Sequence, residues 1–257
     1  MGIGYWLKFS FRDIMYKSTR AIVFHQTRYS DTSLVVKILT EEWGLGSYII
    51  KGARTPKSKL KSSLFQPLTL LEMVADHKEK NDLNHIREAR VAYQNKNIPV
   101  NIIKSSILLF LNELLYKSIQ EEAINHELFG FIYDHLVLLD QTTENPANFH
   151  LLFAIHLTRY LGFFPQGDYK NEHSVFDLTE GHFSQTDPLP AEHFISGING
   201  YWFSKLIMLP ADQFYQLTIP AQIRSLLVDK IIQYYHLHLP LTGSFKSHII
   251  LHEVLQK

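Results

Sequence analysis

The spacing of apolar residues changes near residue 96, and this change constrains the fold more than any other feature of the sequence. Before it, β-branched and aromatic residues occur in short runs separated by polar or glycine-containing turns, a pattern typical of strands. After it, apolar residues recur at helical spacing. The 257 residues, of which 46% are hydrophobic, suffice for two domains with separate cores. We therefore expect an α+β chain with the β part first.

Five strands are predicted in the first part, at residues 19–27, 33–39, 47–51, 68–75 and 83–91. In the second of them, Leu34, Val36 and Ile38 share one face because side chains alternate along a strand. Five short strands without an intervening helix favour a small antiparallel sandwich or barrel. A five-stranded oligonucleotide-binding (OB) barrel is one member of that class.

The second part is predicted to be all-α apart from one small hairpin. Its first helix should begin with Pro99 in the first turn and run to Ile119, and further helices are predicted at residues 126–139, 148–161, 201–208, 220–236 and 247–255. Residues 174–184 alternate around a Glu-Gly pair and predict a β-hairpin. The expected domains are residues 15–92 and 97–257, with residues 1–14 as an extension or a misassigned start.

The formal net charge of zero conceals a strong asymmetry along the chain. Residues 15–65 contain nine basic and three acidic residues, a net charge of +6, whereas residues 66–257 contain 14 basic and 21 acidic residues, a net charge of −7. A basic part of this kind favours a polyanionic partner. The alternative is a solvated surface that is only locally basic.

The positive charge is densest in residues 51–61, which we interpret as a mobile loop between two strands. Cations on such a loop can follow a phosphate backbone without reading bases. The basic residues of the loop are Lys51, Arg54, Lys57, Lys59 and Lys61. Four nearby rings could stack on bases, but most aromatic residues at such positions are core, so at most two should face a ligand. These rings are Tyr29, Trp43, Tyr48 and Phe65.

Several classes of chemistry are missing from the sequence. The absence of cysteine excludes disulfides, thiolate metal sites and cysteine nucleophiles, and no apolar run is long enough for a membrane helix. No phosphate-binding loop or nucleophile elbow is present. His248 and His252 could share a metal on one helix, but no third ligand is evident. We therefore expect no enzyme activity, no cofactor and no bound metal, and a cytoplasmic location.

Two long motifs resemble those of the RecO family of bacterial DNA repair and recombination mediators. They are YSDTSLVVKILTEEWG at residues 29–44 and KGARTPKSKLKSSLFQPLT at residues 51–69. Shorter supporting motifs are LNELL at 111–115, LGFFP at 161–165 and GSFKSHIILHEVL at 243–255. The resemblance implies an N-terminal OB barrel followed by a helical domain.

The resemblance also implies a function and partners. Family members bind single- and double-stranded DNA, anneal complementary strands, dock on the acidic C-terminal tail of single-stranded DNA-binding protein, and with RecR help to load RecA. Such a protein would be associated with the nucleoid. DNA binding carries over to the five basic residues of the loop, with Arg28 and Lys37 as additions. For the tail-binding site only Lys246 carries over.

One departure from the family concerns zinc. Many members hold the segment after LGFFP with a cysteine-ligated zinc, but residues 166–193 contain no cysteine here. We therefore expect a hairpin that lacks zinc and is held by Phe176, Leu178 and Phe183. Two other functions stay open from the residues alone. One is a protein-interaction adaptor that uses its barrel to bind peptides, and the other is a nucleic-acid hydrolase, which the missing carboxylate and metal constellations disfavour.

Overall fold

The computed structural model describes residues 16–55, 58–76, 83–120, 123–185 and 193–256. Residues 1–14, which the sequence suggests are an extension, lie outside this part. The strands are β1 (Lys17–Arg28), β2 (Leu34–Thr40), β3 (Gly44–Ile50), β4 (Leu70–Ala75), β5 (Asn84–Tyr93), β6 (Val175–Asp177), β7 (His182–Ser184) and β8 (Phe194–Ile195). The helices are α1 (Ile102–Ser118), α2 (His126–Gln141), α3 (Phe149–Tyr160), α4 (Gly197–Met208), α5 (Ala221–His238) and α6 (Ser247–Leu255).

The first five strands form a closed barrel in the order β1-β2-β3-β5-β4. Antiparallel pairing of β1 with β4 closes it, and the short β3–β5 contact, which pairs Tyr48 with Asn84, is parallel. The predicted α+β class, with a five-stranded OB barrel followed by a helical part, is therefore confirmed. The expectation that all the strands would be antiparallel is wrong at that one pair.

Strand β1 is buried on both of its faces, which joins the barrel to the helical part. Ala21 and Val23 point into the barrel, where they pack with Val36 and Ile38 of β2. The alternate residues Ile22 and Phe24 belong instead to the core formed with the helices. All four β1 residues are completely buried, so the two-residue period of the strand divides one apolar run between two cores.

Helix α1 begins later than the sequence suggests. Pro99 lies in a short 3-10 turn, Ile98–Val100, and not in the first turn of the helix. The helix starts at Ile102 because the side chain of Asn101 accepts hydrogen bonds from the backbone N–H groups of Ile103 and Lys104. An asparagine in this role satisfies donors that have no partner within the helix.

The predicted hairpin is present as β6 and β7, and β8 adds a third short strand beside β6. Phe176 and Leu178 are completely buried and Phe183 is 9% exposed. The ring of Phe176 lies 5.1 Å from that of Phe183 and 4.6 Å from that of Phe203 in α4. These contacts confirm that apolar packing holds the hairpin against the helices.

Candidate nucleic-acid interface

The predicted basic loop and the β1–β2 turn lie at the same end of the barrel. Pairing of Leu34 with both Arg28 and Ile50 brings the ends of β1 and β3 to the start of β2. The backbone N–H of Arg54 donates to the carbonyl of Thr32 at 3.2 Å, and its guanidinium donates to the carbonyl of Asp31 at 3.2 Å. The structure therefore places Arg28 and Tyr29 on the same barrel end as Lys51 and Arg54.

The described part of the loop has defined turns, which the sequence pattern alone does not reveal. Gly52 has a φ of +71°, a conformation that glycine adopts without steric cost. The carbonyl of Gly52 accepts bonds from both the N–H and the hydroxyl of Thr55. Ala53 is 3% exposed, and its carbonyl accepts the N–H of Ser62. The described part of the loop is thus anchored through its small residues, while Lys51, Arg54, Lys59 and Lys61 remain exposed.

The exposed cations at this end of the barrel are not neutralised by neighbours. Among the described residues, no carboxylate forms an ion pair with Lys51, Arg54, Lys59 or Lys61, all of which are exposed, and Lys57 lies outside that part of the chain. The barrel wall differs, since Arg20 is paired with Glu41 at 2.6 Å and Arg90 with Glu72. The unpaired charge therefore concentrates at the loop.

The four nearby rings differ in exposure. Tyr48 and Phe65 are completely buried in the barrel core, Trp43 is half-buried, and Tyr29 is 64% exposed. Burial raises the pKa of Tyr48 well above its usual value, so its hydroxyl is neutral at any physiological pH. Tyr29, next to the exposed Arg28, is the ring most accessible to a base.

Lys37 and Lys246 lie apart from the loop. Lys37 is half-buried on the barrel wall, where it is paired in register with His25 and Ser47. Lys246 immediately precedes α6, and its side chain is exposed. The exposed apolar residues Ile249 and Ile250 follow it, with 54% and 45% of their surface accessible.

Glu113 fixes the position of Lys246, a role that the sequence alone does not indicate. Its carboxylate accepts the backbone N–H groups of Lys246 at 3.0 Å and Ser247 at 2.8 Å, and the Ser247 hydroxyl at 2.6 Å. Burial raises the pKa of Glu113, but these hydrogen bonds outweigh that effect and hold it below its usual value. Glu113 belongs to the LNELL motif and Ser247 to the KSH segment, so two separately recognised motifs meet here.

A concave surface lies between α2, α3 and the end of α4. It has a volume of about 700 Å³, and its lining includes Phe131, His135, His156, Arg159 and Met208. Burial lowers the pKa of both histidines, so their rings are neutral near pH 7. The Arg159 guanidinium lies over the Phe164 ring at 4.3 Å.

The histidine pair suggested as a metal site does not acquire further ligands. The rings of His248 and His252 are 5.6 Å apart, and His252 lies 3.6 Å from Asp229. Among the described residues, no group of three histidine, aspartate or glutamate side chains could hold a metal ion. No helix in the same part of the chain is long and apolar enough to span a bilayer.

A closed five-stranded barrel followed by a helical part defines an OB-barrel protein. Residues 15–95 match the family described as Recombination protein O N terminal, and residues 99–247 match Recombination protein O C terminal. The chain belongs to the RecO family.

Three relatives named DNA repair protein RecO illustrate the relationship. The protein of Flavobacterium psychrophilum is 39% identical over 238 residues, covering 92% of this chain and 98% of the relative. That of Azobacteroides pseudotrichonymphae is 33% identical, with 94% and 99% covered. That of Bacteroides fragilis is 34% identical, with 93% and 99% covered.

Proposed function

We propose that the protein is a DNA-binding recombination mediator that holds the phosphate backbone of single- and double-stranded DNA at the loop end of its barrel. The observation that carries the proposal is the set of exposed, unpaired cations on the anchored loop, beside Arg28. Lysine and arginine at such positions bind phosphates and release counterions without reading sequence. The exposed ring of Tyr29 adds a surface on which a base can stack.

In this proposal the protein anneals complementary strands and, with RecR, helps to load RecA onto DNA coated by single-stranded DNA-binding protein. Its action is to bind and position strands rather than to break bonds. The alternative is an adaptor whose barrel binds peptides. The two differ in salt dependence, because only contacts with a polyphosphate give a steep linear slope of log affinity against log salt.

The test is a salt titration of oligonucleotide binding by fluorescence anisotropy, with a triple variant in which Lys51, Lys59 and Lys61 are replaced by alanine. Each phosphate contact on single-stranded DNA contributes about −0.7 to the slope. The triple variant should therefore lose about 2 from the magnitude of the slope. Affinity should fall equally for mixed-sequence and homopolymer strands, because no base contact is removed.

The matched control removes three positive charges from the helical part, by Lys170→Ala, Lys205→Ala and Lys230→Ala. It changes the net charge by the same amount and should leave the slope unchanged. An unchanged slope in the loop variant would refute the loop as the DNA contact and favour the adaptor. Cleavage of a labelled strand in the presence of magnesium would favour a hydrolase.

We propose that the acidic tail of single-stranded DNA-binding protein docks at Lys246. The exposed lysine lies beside the exposed apolar residues Ile249 and Ile250, which suits a tail with carboxylates and an apolar end.

Lys246→Glu should weaken binding of a tail peptide at least about tenfold, since a charge reversal adds repulsion, and should leave bare-DNA affinity nearly unchanged. Arg159→Glu is the matched control. Loss of tail binding in the control alone would move the site to the groove beside Arg159.

A further inference from the structure

The Asp140 carboxylate, at the C-terminal end of α2, holds the connection between barrel and helices. One oxygen accepts the backbone N–H groups of Asn97 and Ile98, each at 2.8 Å, and that of Lys96 at 3.1 Å. The other oxygen accepts the hydroxyl of Tyr93, the last residue of barrel strand β5, at 2.9 Å. A single side chain of the helical part therefore binds both a barrel residue and the segment that leaves the barrel.

This position is unfavourable for a carboxylate without specific partners. The partial negative charge of a helix C-terminus repels it, and Asp140 is only 1% exposed. Burial raises its pKa, but the backbone N–H groups of residues 96–98 outweigh burial and hold the pKa below its usual value. The buried Lys104 ammonium donates to the carbonyls of Asp140 and Thr142. A buried charge of this kind is weak evidence for added stability, because the cost of removing it from water offsets the gain from its bonds.

Helix α2 touches the barrel at a second point. The guanidinium of Arg20, on β1, lies 4.9 Å from the ring centre of Tyr133 and 5.5 Å from that of Phe129. Glu41 of the barrel holds Arg20 in place through two hydrogen bonds. Tyr133 and Asp140 are seven residues apart, which is about 10 Å along a helix. These two polar attachments, about two helical turns apart, act in addition to the apolar core that Ile22 and Phe24 share with the helices.

We propose that Asp140 is a positioning residue that, together with the Arg20 contact, sets the orientation of the barrel relative to the helices. Strand annealing needs this orientation, because the DNA bound at the barrel and the partners bound at the helical part must meet in a fixed geometry. DNA binding needs only the loop. This last step rests on the proposed function, whereas the orientation itself can be measured without DNA.

The absence of cysteine makes a direct measurement possible, since introduced cysteines are the only labelling sites. Glu42→Cys on the barrel and Glu180→Cys on the hairpin, both exposed, take spin labels, and pulsed electron paramagnetic resonance gives the distance distribution between them. Asp140→Ala should broaden that distribution at a temperature well below melting. Asp134→Ala, which alters an exposed carboxylate on the same helix, should not.

Asp140→Ala should also slow annealing about tenfold, with DNA affinity changed by less than about twofold. A lower melting temperature with an unchanged distance distribution would show that Asp140 is merely structural and overturn the proposal. A broadened distribution with unimpaired annealing would overturn the link to annealing. If the wild type anneals nothing, the proposed function fails, while the distance measurement still decides the role of Asp140.

A milder variant protects the test against a failure to fold. Tyr93→Phe removes only the hydroxyl that joins β5 to Asp140 and leaves the backbone bonds of residues 96–98 in place. It should broaden the distance distribution less than Asp140→Ala does. It should also slow annealing less than Asp140→Ala does. An effect equal to that of the Asp134→Ala control would count against the barrel contact.

Discussion

Replacing Glu113 by alanine should destabilise the protein through the loss of α6 packing. The carboxylate lies at the N-terminus of α6, where it binds two backbone N–H groups and the Ser247 hydroxyl. Helix α6 has nine residues, which is too short to be stable alone. Its position depends on this contact and on the burial of Leu251, which is completely buried.

The magnitude follows from the number and kind of bonds lost. Removal of a side-chain cap costs about 0.5–2 kcal/mol, and loss of a negative charge at a helix N-terminus costs about 0.3–1 kcal/mol more. Glu113 is half-buried, so water replaces some of the lost hydrogen bonds. The loss of stability should therefore stay below the upper end of these two ranges combined. We expect the free energy of unfolding to fall by about 2 kcal/mol, or roughly 4–8 °C in melting temperature for a chain of this size. Glu113→Gln keeps one acceptor and should cost about 1 kcal/mol.

The assay is chemical denaturation of wild type, Glu113→Ala, Ser247→Ala and the double variant. Because Glu113 and Ser247 share a hydrogen bond, the losses of stability in the two single variants should not add. The double-mutant cycle should give a coupling energy of about 0.5 kcal/mol or more. The pKa of Glu113 is lowered in the folded state, so its contribution is present above the unfolded pKa and lost as pH falls through the folded pKa. Strict additivity, or a Glu113→Ala protein as stable as wild type, would refute the reasoning.

Two further predictions concern a buried histidine and zinc. Burial lowers the pKa of His150 from 6.5 to about 3, so below pH 6.5 the unfolded chain binds a proton that the folded chain does not. Acidification from pH 7 to 5 should therefore lower the free energy of unfolding by about 2 kcal/mol through this residue. His150→Leu should make the free energy of unfolding, measured by urea denaturation, depend less on pH in this range. The purified protein should hold no stoichiometric zinc, because residues 166–193 lack thiolates. Elemental analysis that finds about one zinc per chain after dialysis against chelator would contradict this.

The fold was largely predictable because it depends on local patterns. Helix α6 covers residues 247–255, as predicted from its apolar spacing. One error occurs where a distant contact accompanies the end of an element. Strand β5 was predicted to end at residue 91 but continues to Tyr93, whose hydroxyl binds Asp140, 47 residues further along the chain. The late start of α1 had a local signal in Asn101, the side chain that caps the helix.

The candidate site was only partly predictable for the same reason. The basic residues of the loop are adjacent in sequence, so their charge is visible without a structure. The contact of Arg54 with Asp31 and the contact of Glu113 with Ser247 join residues 23 and 134 positions apart. A sequence shows that a carboxylate exists but not which N–H groups it will meet. The tertiary fold supplies that information.

The distribution of charge restricts where an anionic strand can bind. Residues 97–257 contain nine basic and 16 acidic residues, a net charge of −7, and such a surface repels DNA within about 8 Å at physiological ionic strength. On the barrel wall, Arg20 and Arg90 are each paired with a glutamate, which reduces their attraction for a strand. In the proposed function, this distribution of charge favours binding of a strand at the loop end of the barrel over the helices, without any base contact. The same repulsion would act on an acidic tail, so the proposed docking at Lys246 relies on a cation beside the exposed apolar residues Ile249 and Ile250.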